Sequence, residues 1–327
     1  MQLRVCEQSW PLAAAFTISR GTKTKADVVV VEVEAEGHIG RGECVPYPRY
    51  DETVEGVLTT IQQLRPAMAD GLTREDLQQA LPAGAARNAV DCALWSWEAA
   101  RAGCRVHELL GLPALRPVTT AYTLSLAEPA SMEAAAAAQR HRPLLKLKLA
   151  GDGLDADRVA GVRRGAPQAR IIVDANEGGQ AQTLGSLLEQ LASLGVELVE
   201  QPLPAAQDES LSTLTHPVPV CADESCHTHS DVPQLRDRYD LINIKLDKAG
   251  GLTEALLLRD AARAAGLGIM VGCMVGTSLS MAPAVLLAQE AEVVDLDGPL
   301  LLAQDRDPGL QFENSTLLPT PAGLWDG

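Results

Sequence analysis

Residues 144–148, LLKLK, followed by RIIVD at 170–174, VELVE at 196–200, VCAD at 220–223 and LINIK at 241–245, decide the reading of this chain. Each is a short apolar run that ends on a charge: Lys148, Asp174, Glu200, Asp223 and Lys245. Successive gaps between these charges are 26, 26, 23 and 22 residues, about the length of one strand, one helix and two short connections. In a (β/α)8 barrel the C-terminal ends of the strands converge on one face, so all five charges line one site. Three carboxylates brought together repel one another, and a bound hard cation relieves the repulsion. Ligation by oxygen alone points to Mg²⁺, with the two lysines flanking it from opposite sides.

The same rhythm extends outward. From Pro117, short β-branched runs alternate with helical segments, from TTAYTLSL at 119–126 to VVDLDG at 293–298, and this many repeats favour a closed parallel barrel. Residues before Pro117 do not follow it. Leu3–Val5, ADVVVVEVEAEG and HIGRGEC read as a three-stranded meander turning at Gly37. Helices follow at ETVEGVLTTIQQLRPAM, at TREDLQQAL, where Thr73 opens a Thr-x-x-Asp capping pattern, and at ARNAVDCALWSWEAARAG. The sequence thus predicts an α/β protein: an α+β capping domain over residues 1–115, a modified (β/α)8, TIM-type barrel over 116–300, and a tail, 301–327, that packs back on the capping domain.

The 327 residues, 46% hydrophobic, support a large core. A net charge of −16 opposes binding to nucleic acid or to an anionic membrane. No apolar run approaches the roughly 20 residues of a membrane span. The stretch WPLAAAFTI at 10–18 is too short and is broken by Pro11, so it is not read as a signal peptide. Seven cysteines, an odd number without CxxC spacing, fit reduced thiols in the cytoplasm. Composition leaves the oligomeric state open, a homo-oligomer included.

Lys146 and Lys148 are two apart and share one strand face. Alone, such a pair is more often an edge-strand device; five strand-end charges in register reverse that reading. A buried lysine beside a second lysine and a divalent cation loses proton affinity and can serve as a base near neutral pH. Taken singly, Asp174, Glu200 and Asp223 read as readily as helix caps or loop acids, and only their register argues for a metal. Asn176 either supports that site or caps the following helix. Lys245 is preferred to Lys248, which the Gly250–Gly251 pair places in a turn. Asp295 and Asp297 share a face; they read equally as loop acids or as pocket charge awaiting a cationic substrate group. GCMVGTS at 272–278 lacks the lysine and spacing of a phosphate-binding loop, and GDGLDAD lacks the glycine and final glutamate of a calcium loop. His227 and His229 read as exposed loop residues and receive no role.

Taken together, SWPL, FTISRG, GRGECVPYPRY, LPAGAARNAVDCALW, LKLKL, VDANE, VEQPLP, CADESCHT, NIKLDKAGGLTEAL, GCMVGTS and DLDGP resemble the enolase superfamily over nearly the whole chain. Within it they are similar to the muconate-lactonising-type branch that contains the dipeptide epimerases. The resemblance implies an Mg²⁺-dependent isomerase that inverts the α-carbon of a dipeptide's C-terminal residue by 1,1-proton transfer through an enediolate. Within that branch the motifs are similar to enzymes acting on L-Ala-D/L-Glu, which implies a place in murein peptide recycling. It implies Lys148 and Lys245 as the acid/base pair, Asp174, Glu200 and Asp223 as metal ligands, and Lys146 beside the substrate carboxylate. Asp295 and Asp297 would hold the dipeptide ammonium, and Thr123 and Cys273 would touch its backbone.

Lys23 stands where the resemblance leads one to expect an arginine, after the ISRG-type turn. It keeps the charge without the bidentate fork, which bears on preference for a C-terminal Glu. The alternatives are a cycloisomerase, an o-succinylbenzoate synthase or an N-acylamino acid racemase, whose substrates lack a free ammonium. A non-catalytic barrel would ordinarily have lost active-site charges that are all present here.

Overall fold

Val28–Val31 and Val33 are buried on both faces of one strand, and that sets how the two halves of the molecule meet. In the computed structural model, which describes residues 1–326, strands β1 (Gln2–Ile18), β2 (Gly21–Ala35) and β3 (His38–Cys44) form an antiparallel sheet in that order. Successive side chains of β2 point to opposite faces. Val29, Val31 and Val33 pack under helices α1 (Val54–Gln63), α2 (Arg65–Ala69), α3 (Arg74–Ala80) and α4 (Ala85–Ala102), while Val28 and Val30 join the apolar cluster of the barrel. Gly40 and Gly42 on β3 let α4 lie directly on the sheet, since a Cβ at either would collide with the α4 backbone at Ala93 or Ala89. Thr73 and Asp76 make the capping box at the start of α3. The segment read as one helix over ETVEGVLTTIQQLRPAM is two, divided just before Pro66, whose ring cannot donate to a continuing helix.

Strand β1 is much longer than Leu3–Val5. It crosses Pro11, which an edge strand tolerates because its N–H side need not be paired. The register then shifts between Pro11 and Phe16 before Phe16–Ile18 pair with Lys23–Gly21. This hairpin end reaches the mouth of the barrel.

Eight parallel strands follow one another around the second half: β5 (Tyr122–Leu124), β6 (Leu144–Lys148), β7 (Arg170–Asp174), β8 (Val196–Glu200), β9 (Val220–Ala222), β10 (Leu241–Ile244), β11 (Gly268–Val271) and β12 (Val293–Val294). Ala121 N–H donates to Val294 O at 2.8 Å, joining the first of these strands to the last. TTAYTLSL supplies two strands rather than one, because its start, β4 (Val118–Thr119), pairs with the tail strand β14 (Thr316–Leu317), itself paired with β13 (Phe312–Glu313). The tail also reaches the first sheet and α4: Ala303 N donates to Pro11 O at 2.9 Å and Trp325 Nε1 to Cys92 O at 3.0 Å.

Strand parity places the charges. Leu144, Ile172, Leu198, Cys221 and Val293 form a buried plug inside the barrel. Each lies two residues before a charge, at Lys146, Asp174, Glu200, Asp223 and Asp295, so each charge projects from the same inner face above the plug. Leu145, Leu147, Ile171, Val173 and Val199, of the other parity, face the surrounding helices. All seven cysteines are free. Among the described residues no helix is long and apolar enough to cross a membrane.

Candidate active site

Above the plug, Asp174, Glu200 and Asp223 are fully buried and each offers an oxygen within 4.8 Å of the others'. Ladder register brings them together: Lys148 pairs with Asp174 across β6 and β7, and Asp174 with Glu200 across β7 and β8. Lysines enclose the triad. Lys148 Nζ lies 2.6 Å from Asp174 Oδ2, and Lys245 Nζ 2.7 Å from Asp223 Oδ2 and 3.6 Å from Glu200 Oε1. Lys146 Nζ is 2.5 Å from Glu200 Oε2, 2.6 Å from Asp295 Oδ2 and 3.4 Å from Asp174 Oδ2.

Burial would raise the carboxyls, but Lys148, Lys146 and Lys245 bring Asp174 down to about 2. Asp223 is likewise held well below the usual range by Lys245 and Lys248 against its burial. Glu200 moves the other way, raised by burial and by Asp174. Burial pulls Lys245 and Lys146 down, yet the surrounding carboxylates outweigh it and both stand well above the ordinary value. A cation among the carboxylates neutralises the charge that holds those protons.

The triad suits such a cation. Glu200 Oε2 and Asp223 Oδ1 are buried without a hydrogen bond, although an ammonium lies near each, Lys146 at 2.5 Å and Lys248 at 2.6 Å. Three buried carboxylates, two of them with an oxygen that accepts no hydrogen bond, are a donor set for a hard divalent ion.

A cavity of about 430 Å³ opens above the triad, lined among others by Lys146, Lys148, Lys245, Asn176, Thr123, Cys273, Asp295, Asp297 and Lys23. Asn176 does not cap a helix, since the next one, Ala181–Ser193, starts after Gln180. Its backbone is left-handed, at φ 43°. Its N–H donates to Asp174 Oδ1 at 2.9 Å, and its buried Oδ1 has no partner. Asp297 accepts from Thr123 N at 2.6 Å and is pushed up to about 7 by burial and by Asp295. The two acids of DLD are therefore not equivalent, because Lys146 already pairs with Asp295. Burial and the same two acids raise Cys273, which stays a thiol. Lys23 lies 5.0 Å over the Tyr47 ring, and burial lowers its proton affinity against the pull of Asp27.

Several contributors escaped the sequence reading. Lys248 does follow the strand in a short helix, Leu246–Ala249, but its side chain turns inward and is fully buried against Asp223. Arg20 and Arg49 clasp the cavity rim: Arg20 Nη2 is 2.8 Å from Glu224 Oε1, and Arg49 Nε and Nη2 each lie 2.7 Å from Glu177. Only their place in ISRG and YPRY hinted at this. His227 is half-buried with its ring edge-on to Tyr50 at 4.8 Å, whereas His229 is exposed, as read from the sequence, and lies 2.6 Å from Glu254.

Known proteins resemble this chain along nearly its whole length. Residues 1–111 match the mandelate racemase / muconate lactonizing enzyme N-terminal domain and residues 130–324 the enolase C-terminal domain-like family. An L-Ala-D/L-Glu epimerase of Escherichia coli (strain K12) is 47% identical, covering 96% of this chain and 98% of its own. An N-acetyl-D-glutamate racemase of a Pseudoalteromonas species is 44% identical over 92% of this chain and 95% of its own. A crystal structure of an enolase family member from Agrobacterium tumefaciens with homology to dipeptide epimerases, with bound sodium and L-Ala-L-Glu, is 53% identical, covers 99% of both chains and superposes with a TM-score of 0.96. The chain belongs to the mandelate racemase / muconate lactonizing enzyme family of the enolase superfamily.

Proposed function

We propose that the protein is an Mg²⁺-dependent dipeptide epimerase that inverts the α-carbon of the C-terminal residue of L-Ala-D/L-Glu. One observation carries the reading: Lys148 and Lys245 touch opposite members of a buried carboxylate triad, at Asp174 and Asp223, beneath a cavity of dipeptide size. Similarity to the E. coli epimerase, and to an A. tumefaciens protein that holds L-Ala-L-Glu, supports the substrate class.

Asp174, Glu200 and Asp223 would hold the metal. Bound there, Mg²⁺ supplies positive charge opposite the negative charge that builds on the substrate carboxylate as the α-proton leaves. Lys146, fixed between Glu200 and Asp295, adds an ammonium beside that carboxylate, and Asn176 presents its unpartnered Oδ1 to the metal side of the cavity. Lys148, as the free amine, takes the α-proton from one face while Lys245, as the ammonium, returns a proton to the other. For the opposite isomer the roles reverse. Thr123 and Cys273 border the peptide backbone, Asp297 with Asp295 faces the ammonium, and Lys23 meets the side-chain carboxylate of the C-terminal Glu.

A second reading, an N-acylamino acid racemase, is favoured by the Pseudoalteromonas relative and by the Lys146–Asp295 pair, which leaves less free negative charge for an ammonium. Steady-state kcat/KM for L-Ala-L-Glu and N-acetyl-L-Glu, after chelation and after Mg²⁺ is restored, separates the two. The epimerase reading expects the dipeptide to be preferred and chelation to abolish turnover. Preference for N-acetyl-L-Glu would move the assignment to the racemase.

A further inference from the structure

Gln201 follows Glu200 directly, is fully buried and adopts a left-handed backbone, φ 35°. Parallel pairing of β8 with β9 extends only to Glu200 and Cys221. Beyond it the two strand ends are tied by Gln201: its N–H donates to Cys221 O at 2.8 Å, and its Oε1 accepts from Asp223 N at 2.8 Å and Ser225 N at 3.1 Å. Its Nε2 faces three acceptors, Leu203 O, Ser225 Oγ and Tyr239 OH, at 2.8, 2.8 and 2.9 Å, for its two N–H groups. Behind it, buried Asp208 Oδ2 accepts from both hydroxyls, Ser225 and Tyr239, each at 2.7 Å. Those hydroxyls therefore spend their protons on Asp208 and present lone pairs to the Gln201 amide. A flipped amide would set Nε2 against the Asp223 N–H, donor against donor, so only one orientation is satisfied.

We infer that Gln201, locked by Asp208 through Tyr239 and Ser225, is a positioning residue that sets the separation of Glu200 from Asp223 and so the affinity of the cation site. The inference rests on the metal site of the functional reading. It goes further by assigning the ligand spacing to a residue that itself binds neither metal nor substrate. Carboxylate ligands are commonly held by such outer hydrogen bonds, and losing one typically costs about 10- to 100-fold in metal affinity.

The test is calorimetric titration of MgCl₂ into chelator-stripped full-length protein, with melting temperature recorded alongside. Gln201→Met is expected to raise the Mg²⁺ Kd by about tenfold or more, and Tyr239→Phe, which frees the amide to turn, by several-fold. Asp91→Asn, at the α4 contact with Thr253, serves as a destabilised control whose Kd stays that of the wild type. A wild-type Kd in both Gln201→Met and Tyr239→Phe overturns the inference, as does an equal rise in Asp91→Asn. Should Gln201→Met not fold, Tyr239→Phe decides alone by the same criterion. A wild-type protein that binds no Mg²⁺ sinks the functional reading together with this one. Tight wild-type binding with indifferent variants sinks only this one.

Discussion

Lys146 Nζ donates to Asp295 Oδ2 at 2.6 Å across the barrel interior. One acid of the DLD pair is thus already matched by a lysine, and the other, Asp297, is pushed up to about 7. An incoming ammonium would meet a site of at most one negative charge rather than two. Blocking it by N-acetylation removes a charged hydrogen bond worth about 2 kcal/mol, so kcat/KM for N-acetyl-L-Ala-L-Glu is expected to fall roughly 30-fold below that of L-Ala-L-Glu. Equal values would remove the ammonium role from Asp297.

Lys23 sits on the cavity wall over Tyr47, and on the proposed reading a lone ammonium there would select an acidic side chain by charge alone. Lys23→Met is expected to reduce kcat/KM for L-Ala-L-Glu by about tenfold, or roughly 1.4 kcal/mol, and to leave L-Ala-L-Leu unchanged. A parallel loss for both dipeptides would show that Lys23 shapes the cavity wall without choosing the substrate.

Glu43 of β3 is buried and holds the barrel segment that carries Cys273. It accepts from Thr277 N at 2.8 Å and Thr277 Oγ1 at 2.6 Å, and from Arg306 Nη2 of the tail at 2.6 Å. Removing Arg306 leaves that carboxylate unpaired in the interior. Arg306→Ala is expected to lower unfolding free energy by about 3 kcal/mol, read from urea denaturation. A change within experimental scatter would mean that Glu43 is held sufficiently by Thr277.

Asp247 accepts from Val45 N at 3.0 Å and Asn88 Nδ2 at 2.8 Å where the barrel meets the capping helices. Burial, opposed by these bonds, pushes it up to about 7, above its unfolded value near 3.9. Between those two values the folded form keeps a proton that the unfolded chain has released, so stability falls as pH rises from about 4 to about 7. The loss is about 1.4 kcal/mol per pH unit. Asp247→Asn preserves both accepted bonds and should flatten the melting temperature over that range. An unaltered pH profile would assign the dependence to other buried acids such as Asp91, raised to about 6.

The barrel and its five strand-end charges were legible because their cause is local. A period of two along each strand and a steady repeat length determine which side chains point inward, and both can be read in a linear chain. What escaped depends on partners far apart in sequence. Lys248 looks like a turn residue until the packing of its short helix directs it at Asp223. β4 carries no local sign that its partner is a tail strand some 200 residues later. Pro11 disguised the length of β1 because tolerance of proline depends on its being an edge.

The two-lysine assignment is tested most directly by ¹H NMR in D₂O with Mg²⁺, following the α-proton of the C-terminal residue in L-Ala-L-Glu and, separately, L-Ala-D-Glu. Wild-type protein is expected to interconvert the isomers with deuterium incorporation. Lys148→Ala and Lys245→Ala should each lose interconversion, and each should exchange the α-proton of one isomer only, the two variants choosing opposite isomers. Interconversion by either variant, or exchange of the same isomer by both, would contradict lysines acting from opposite faces of the carboxylate triad.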